Sequence, residues 1–153
     1  MTKRYAICYN PKMPNSEEVM EKLKSVLDKS CAKYSVLDTD NCQEGFDFAF
    51  VIGGDGTILK TARFYSEFDT PIFGINLGRL GFLSQASMDD IESSVDKILK
   101  SDYKVEDRMM LCANSYVALN DFVIKGGMSG RTSRFALAIN GKLVCEYLAD
   151  GLI

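Results

Sequence analysis

Gly53-Gly54-Asp55-Gly56-Thr57 stands directly after the apolar run Phe48-Ala49-Phe50-Val51-Ile52. At this junction the residue types first point to chemistry. Glycines permit positive φ and carry no side chain to hold a ligand away from the backbone. A glycine-rich turn between a buried strand and a helix lets main-chain N–H groups approach a phosphate at the helix N-terminus. Asp55 is the anomaly, because a carboxylate beside a phosphate is repelled unless the charges are reconciled. Either a cation such as Mg²⁺ bridges the two, or Asp55 faces an acceptor hydroxyl and takes its proton. Both readings lead to phosphoryl transfer. The chain has no histidine. That removes the commonest general base, the Ser-His and Cys-His nucleophiles and most zinc chemistry. Acid–base work therefore falls to a carboxylate, with Lys, Tyr and Cys as lesser alternatives.

The elements around the turn decide whether it has this role. Asp-Gly between two apolar runs is also a hairpin signal, in which Thr57-Ile58-Leu59 is a returning strand and the turn is inert. Against it, Ile58, Ala62 and Tyr65 keep a helical spacing, with Leu59 beside Ile58. Upstream, Tyr5–Tyr9 reads as a first strand closed by Asn10-Pro11. A helix follows, with Asn15 and Glu18 in capping-box spacing and Val19, Leu23, Val26 and Leu27 on one face. Tyr34–Leu37 is a short second strand and Pro71–Ile75 another buried one. A helix over Asp89–Leu99 presents Ile91, Val95, Ile98 and Leu99, with Ser87 and Asp90 as its cap. Alternation of this kind predicts a parallel sheet covered by helices over residues 1–102. From Tyr103 the runs Leu111–Ala113, Tyr116–Leu119, Phe122–Ile124 and Phe135–Ile139 are short and β-like. Asn140-Gly141 predicts a type I′ hairpin into Leu143-Val144-Cys145. Residues 103–153 thus read as the opening strands of an all-β region. They are too few to close a sandwich, and the sequence stops mid-pattern, as expected of a piece of a longer protein.

Composition narrows the function classes. Of 153 residues, 46% are hydrophobic and 25% charged, the balance of a globular chain. A net charge of −3 gives no electrostatic footprint for nucleic acid. No apolar run is long enough for a membrane helix, and the N-terminus lacks the pattern of a signal peptide. Five scattered cysteines, with no Cys-x-x-Cys pair, predict a reducing cytoplasm and neither a disulfide framework nor a zinc site. Each Cys is expected as a small buried apolar residue.

A second glycine cluster, Gly74-Ile75-Asn76-Leu77-Gly78-Arg79-Leu80-Gly81-Phe82-Leu83, also follows a predicted strand. Two such turns at the ends of parallel strands share one sheet edge, where open α/β sheets bind ligands. Phe82 offers a ring to a base or ribose; alternatively Leu80, Phe82 and Leu83 plug the core. Asn120-Asp121 interrupts an apolar pattern and suits ribose hydroxyls, or forms an Asx turn. Arg131 and Arg134 flank the loop Gly126–Gly130, where they meet phosphates or stay solvated.

Taken together, Gly53-Gly54-Asp55-Gly56-Thr57, Gly74-x-Asn76-x-Gly78-x-Leu80-Gly81-Phe82, Leu119-Asn120-Asp121 and Ala149-Asp150-Gly151-Leu152-Ile153 resemble the NAD kinase family in order and spacing. The first block alone is shared with 6-phosphofructokinases and with diacylglycerol and sphingosine kinases. The resemblance implies a Rossmann-like domain followed by a β-sandwich domain, with NAD as substrate, ATP or polyphosphate as donor and Mg²⁺ or another divalent cation assisting. It implies that Asp55 accepts the proton of the adenosine 2′-hydroxyl and that Gly56 lines the same site. Lys60 supplies a cationic contact and Phe82 lies on the adenine side. Asn120 and Asp121 hold ribose hydroxyls, and Asp150 contacts the nicotinamide half. Arg131 matches a position that reaches the site, often from a neighbouring subunit, which implies a homo-oligomer (dimer or tetramer). No residue is assigned as a protein ligand to metal. In the family Asp-Gly-Leu-Ile is followed by a Thr/Ser/Gly-rich loop that binds NAD and phosphate, and the sequence ends before it. A lipid or sugar kinase sharing the first turn is the rival enzyme, and a non-catalytic dinucleotide-binding module is the other alternative.

Overall fold

An all-apolar strand needs cover on both faces, and Phe48–Ile52 has it, since all five residues are buried. The computed structural model describes residues 2–78, 81–125 and 132–153. It divides into two units, Met1–Met109 and Met110–Ile153. In the first, the elements run β1 (Arg4–Tyr9), α1 (Ser16–Lys29), β2 (Lys33–Asp38), β3 (Phe48–Ile52), α2 (Asp55–Tyr65), β4 (Ile72–Ile75) and α3 (Ile91–Leu99). The four strands form one sheet in the order β2-β1-β3-β4, every pair parallel. This is the α/β layer expected from the alternating pattern.

Strand alternation sorts the core by size. Tyr5, Ile7, Phe48, Phe50 and Ile52 face α1 and α3, packing with Val19, Leu23, Leu27, Ile91, Val95 and Ile98. On the opposite face Ala6, Cys8, Ala49 and Val51 meet α2 through Ile58 and Tyr65. The small residues leave room for Tyr65, which is 1% exposed and whose Oη lies 3.6 Å from Cys8 Sγ. Burial pushes the Tyr65 phenol up from its ordinary value. The neighbouring Cys42 thiol, and then burial, push Cys8 up as well.

Three local expectations need correction. Asn15 does not cap α1 with its side chain: it adopts a left-handed φ of 63°, which Asn tolerates better than most residues. Instead its carbonyl accepts the Val19 N–H, and Ser16 Oγ donates to the carbonyls of Asn10 and Met13. Pro71 stays outside β4, its carbonyl accepting the Ala49 N–H. Of the cysteines only Cys8 is buried; Cys42 is half-buried, and Cys31, Cys112 and Cys145 are exposed. The cap at Ser87 does form: Asp90 accepts from both the Ser87 N–H and Oγ–H, in a short 3₁₀ turn, Met88–Asp90, that leads into α3.

Among the described residues of the second unit the strands pair antiparallel. β5 (Leu111–Ala113) pairs with β6 (Tyr116–Ala118), β7 (Ile124–Lys125) with β10 (Gly151–Leu152), and β8 (Ser133–Ile139) with β9 (Lys142–Ala149). Asn140 and Gly141 have φ of 51° and 78°, the double positive φ of the expected hairpin turn. A bulge follows Leu137. Arg134 lies within β8 and pairs with Glu146 at 3.5 Å. Among the described residues no helix is long and apolar enough to cross a membrane.

Candidate functional site

In the first unit, β1 has β2 on one side and β3 on the other. The chain therefore leaves the carboxyl ends of β1 and β3 in opposite directions, and such a switch point is where open α/β sheets hold ligands. The loop after β1 and the glycine turn after β3 meet there: Thr57 Oγ1 donates to Met13 Sδ at 3.5 Å. The glycine turn leads into α2 and not into a returning strand, so the inert hairpin is excluded. Gly53 must be glycine for a steric reason. A Cβ there would lie 2.5 to 2.8 Å from three Thr57 side-chain atoms. At Gly54 and Gly56 the space a Cβ would occupy is open to 4 Å, so a ligand can approach the backbone at the start of α2.

Asp55 is the first residue of α2, where a negative charge meets the positive end of the helix dipole. Its carboxylate turns toward the second glycine cluster. Oδ2 accepts the Phe82 N–H at 3.0 Å and Oδ1 accepts the Leu83 N–H at 3.1 Å. The two glycine-rich segments, expected to share a sheet edge, are thus in direct contact. Leu83 packs on the core that faces α2, while the Phe82 side chain is 99% exposed. Of the two readings for this segment, Leu83 plugs the core and Phe82 presents its ring outward. A carboxylate with both oxygens bonded to amides keeps further lone pairs available, so an alcohol proton can still be received.

The segment from Asn76 to Ala86 is tied at both ends. Asn76 N–H donates to the Ala86 carbonyl, and Gln85 Oε1 accepts the Gly74 N–H at 2.6 Å. Asn76 Oδ1 accepts the Gly78 N–H at 2.8 Å, and its Nδ2 donates to Ser84 Oγ at 3.2 Å. Ser84 Oγ also accepts the Gly81 N–H at 3.0 Å. Sequence reasoning gave no role to Ser84, and named Asn76 only as part of the second glycine cluster; the Asn-x-Gly spacing is the signal that could have found its turn. It also missed Asp40, which follows β2 and forms an ion pair with Lys60 one turn into α2. Lys60 and Asp40 are both exposed, so solvent screens the pair.

In the second unit Asn120 and Asp121 are exposed after β6, and Asp150 is exposed between β9 and β10. The register Gly151↔Lys125 and Leu152↔Ile124 sets the strand after Asp150 against the strand that follows Asn120-Asp121. A Cβ at Gly151 would lie 2.7 Å from the Ile124 carbonyl oxygen, so this approach requires glycine. Arg131 lies outside the described residues, as do Gly126–Gly130, Arg79 and Leu80. The described residues contain no group of three or more Cys, Asp or Glu placed to hold a metal ion.

Comparison with known proteins bears on both units. Residues 1–103 match the family model of the ATP-NAD kinase N-terminal domain. An NAD kinase of Thermoanaerobacter sp. strain X514 is 47% identical over 116 residues, 70% of this chain and 41% of that protein. An NAD kinase of Clostridium botulinum is 31% identical over 99% of this chain and 59% of its own. The crystal structure of yeast NADH kinase complexed with NADH superimposes with a TM-score of 0.77 over 98% of this chain and 56% of the yeast chain. At 19% identity that likeness bears on the fold. The chain spans about half the length of the relatives it matches, 41% and 59% of these two NAD kinases.

Proposed function

Since this chain belongs to the NAD kinase family, we propose that its protein transfers the terminal phosphoryl group of ATP, or of polyphosphate, to the 2′-hydroxyl of the adenosine ribose of NAD. The 2′-oxygen attacks the terminal phosphorus, the bond to the bridging oxygen breaks, ADP or the shortened polyphosphate leaves, and NADP forms. Asp55 takes the 2′-hydroxyl proton. Such a transfer needs little covalent work from the protein; positioning and charge stabilisation dominate.

The observation that carries the reading is the setting of Asp55. The single acid of the glycine turn starts α2 at the switch point of a parallel sheet, and two amides of the next strand's loop hold it. Around it, Gly56 leaves the backbone open to a ligand, and Lys60 faces the charged part of the substrates. The exposed Phe82 ring receives the adenine. Asn120, Asp121 and Asp150 hold the ribose and nicotinamide ends, and Arg131 joins them from a second copy in a dimer or tetramer. A divalent cation is assigned to the donor's phosphates rather than to a protein cage.

The test is product formation by the full-length protein. NADP is followed with an NADP-specific dehydrogenase, using NAD with ATP or polyphosphate and Mg²⁺. Diacylglycerol, a sphingoid base and a hexose phosphate are offered in parallel. NADP formation with no lipid or sugar product supports the proposal. Phosphorylation of a lipid or sugar instead overturns it. Calorimetric NAD binding with no turnover points to the non-catalytic module.

A further inference from the structure

We infer that Ser84 is a positioning residue for Asp55, acting through the main chain of residues 81–83; the inference rests on the proposal that Asp55 accepts the proton. A carboxylate presents about four lone-pair directions. Two are taken by the Phe82 and Leu83 amides at 3.0 and 3.1 Å. With one bond to each oxygen, the carboxylate can no longer turn about its Cβ–Cγ bond, and the remaining lone pairs point in fixed directions. A proton acceptor gains rate from such fixed aim.

The donors sit on a segment that has neither helix nor strand of its own. Main-chain bonds tie its far end, from the Gln85 and Ala86 N–H groups to the Gly74 carbonyl, and Ser84 holds the part nearer Asp55. Its hydroxyl oxygen accepts the Gly81 N–H on one side and Asn76 Nδ2 on the other. Ser84 is 8% exposed and Asn76 7% exposed, so water competes poorly for these bonds. Asn76 directly follows β4. The chain of contacts therefore runs from the end of a core strand, through two buried polar side chains, to the amides that aim Asp55. Gly81 completes it, because a Cβ there would lie 2.7 Å from Asp55 Cγ. No side chain fits between this backbone and the carboxylate.

A double-mutant cycle on kcat in the full-length protein tests the inference. Ser84→Ala is expected to lower kcat about 10- to 100-fold, and Ser84→Thr, which keeps the hydroxyl, to stay within about threefold. In an Asp55→Asn background, Ser84→Ala is expected to change the residual kcat by less than about twofold, because the group it aims is already gone. Equal factors in both backgrounds would show a role in the fold alone and overturn the inference, as would wild-type turnover in Ser84→Ala. If Ser84→Ala does not fold, Ser84→Cys, which keeps a side chain of similar size but accepts hydrogen bonds only weakly, decides by the same cycle. Wild-type turnover in Asp55→Asn alone is a different result, and it removes the proton-acceptor proposal itself.

Discussion

Asp55→Asn is usually read as a silent removal of charge, but here it also breaks a contact. The carboxylate oxygens each receive one main-chain N–H, from Phe82 and from Leu83. Asn offers one oxygen and one NH₂. However the side-chain amide is turned, one main-chain donor then faces another donor. The Phe82 bond is exposed and the Leu83 bond part-buried, so the Asn oxygen turns to Leu83 and the Phe82 amide turns to water. A hydrogen bond to a charged group contributes about 1.5–3 kcal/mol, and the wet side lies at the low end. The surviving bond becomes neutral and loses about half its strength. The two changes together come to about 2 kcal/mol, or a fall of about 4–8 °C in Tm for a chain of this size. Turnover is expected to drop about 10²–10⁴-fold, with NAD still bound. Scanning calorimetry, the coupled NADP assay and calorimetric NAD titration measure the three quantities separately. Unchanged turnover would remove Asp55 from proton transfer, and an unchanged Tm would refute the contact with residues 82 and 83.

Three further outcomes are expected. Lys60→Ala raises KM for the anionic substrates about tenfold and changes urea stability by less than about 1 kcal/mol, because its ion pair with Asp40 is exposed. Gly53→Ala forces a Cβ to within 2.5 Å of Thr57 Oγ1 and lowers stability by about 1–3 kcal/mol. Adding Thr57→Gly relieves the overlap, so the double variant loses less than the sum in urea titrations. Burial raises the Tyr65 phenol above its ordinary value of 10.0, so the unfolded chain releases this proton first. The stability this group contributes is therefore full below about pH 10 and falls as pH rises, by at most about 1.4 kcal/mol per pH unit. Tyr65→Phe flattens the part of that fall above about pH 10, read from urea midpoints across the alkaline range.

What was legible in the sequence follows what has a period or a local signature. Phe48–Ile52 read as a covered strand, Ile58, Ala62 and Tyr65 kept a helix spacing against the rival hairpin, and Asn140-Gly141 named its own turn. Asn15 was misread because two capping residues at the right spacing say nothing of the φ that the preceding loop imposes. The partners of Asp55 were illegible for a deeper reason. They lie 27 and 28 residues away, and they are main-chain N–H groups, which every residue but proline carries. Asp40 was missed similarly, since its meeting with Lys60 depends on how the turn after β2 lies against α2, which no spacing encodes. The order of the strands, which creates the switch point, was likewise beyond a pattern that predicts only that they run parallel.

Because the groups that steady the Asp55 carboxylate are peptide N–H donors, natural variation at 82 and 83 can proceed without touching the acid. A different ring, an aliphatic chain or a polar group can replace Phe82 and still offer the same donor. Under the roles proposed for Phe82 and Asp55, selection for a new base or sugar at this rim is thereby decoupled from selection for proton removal. The restriction falls instead on Gly81, where any side chain would press directly on the carboxylate.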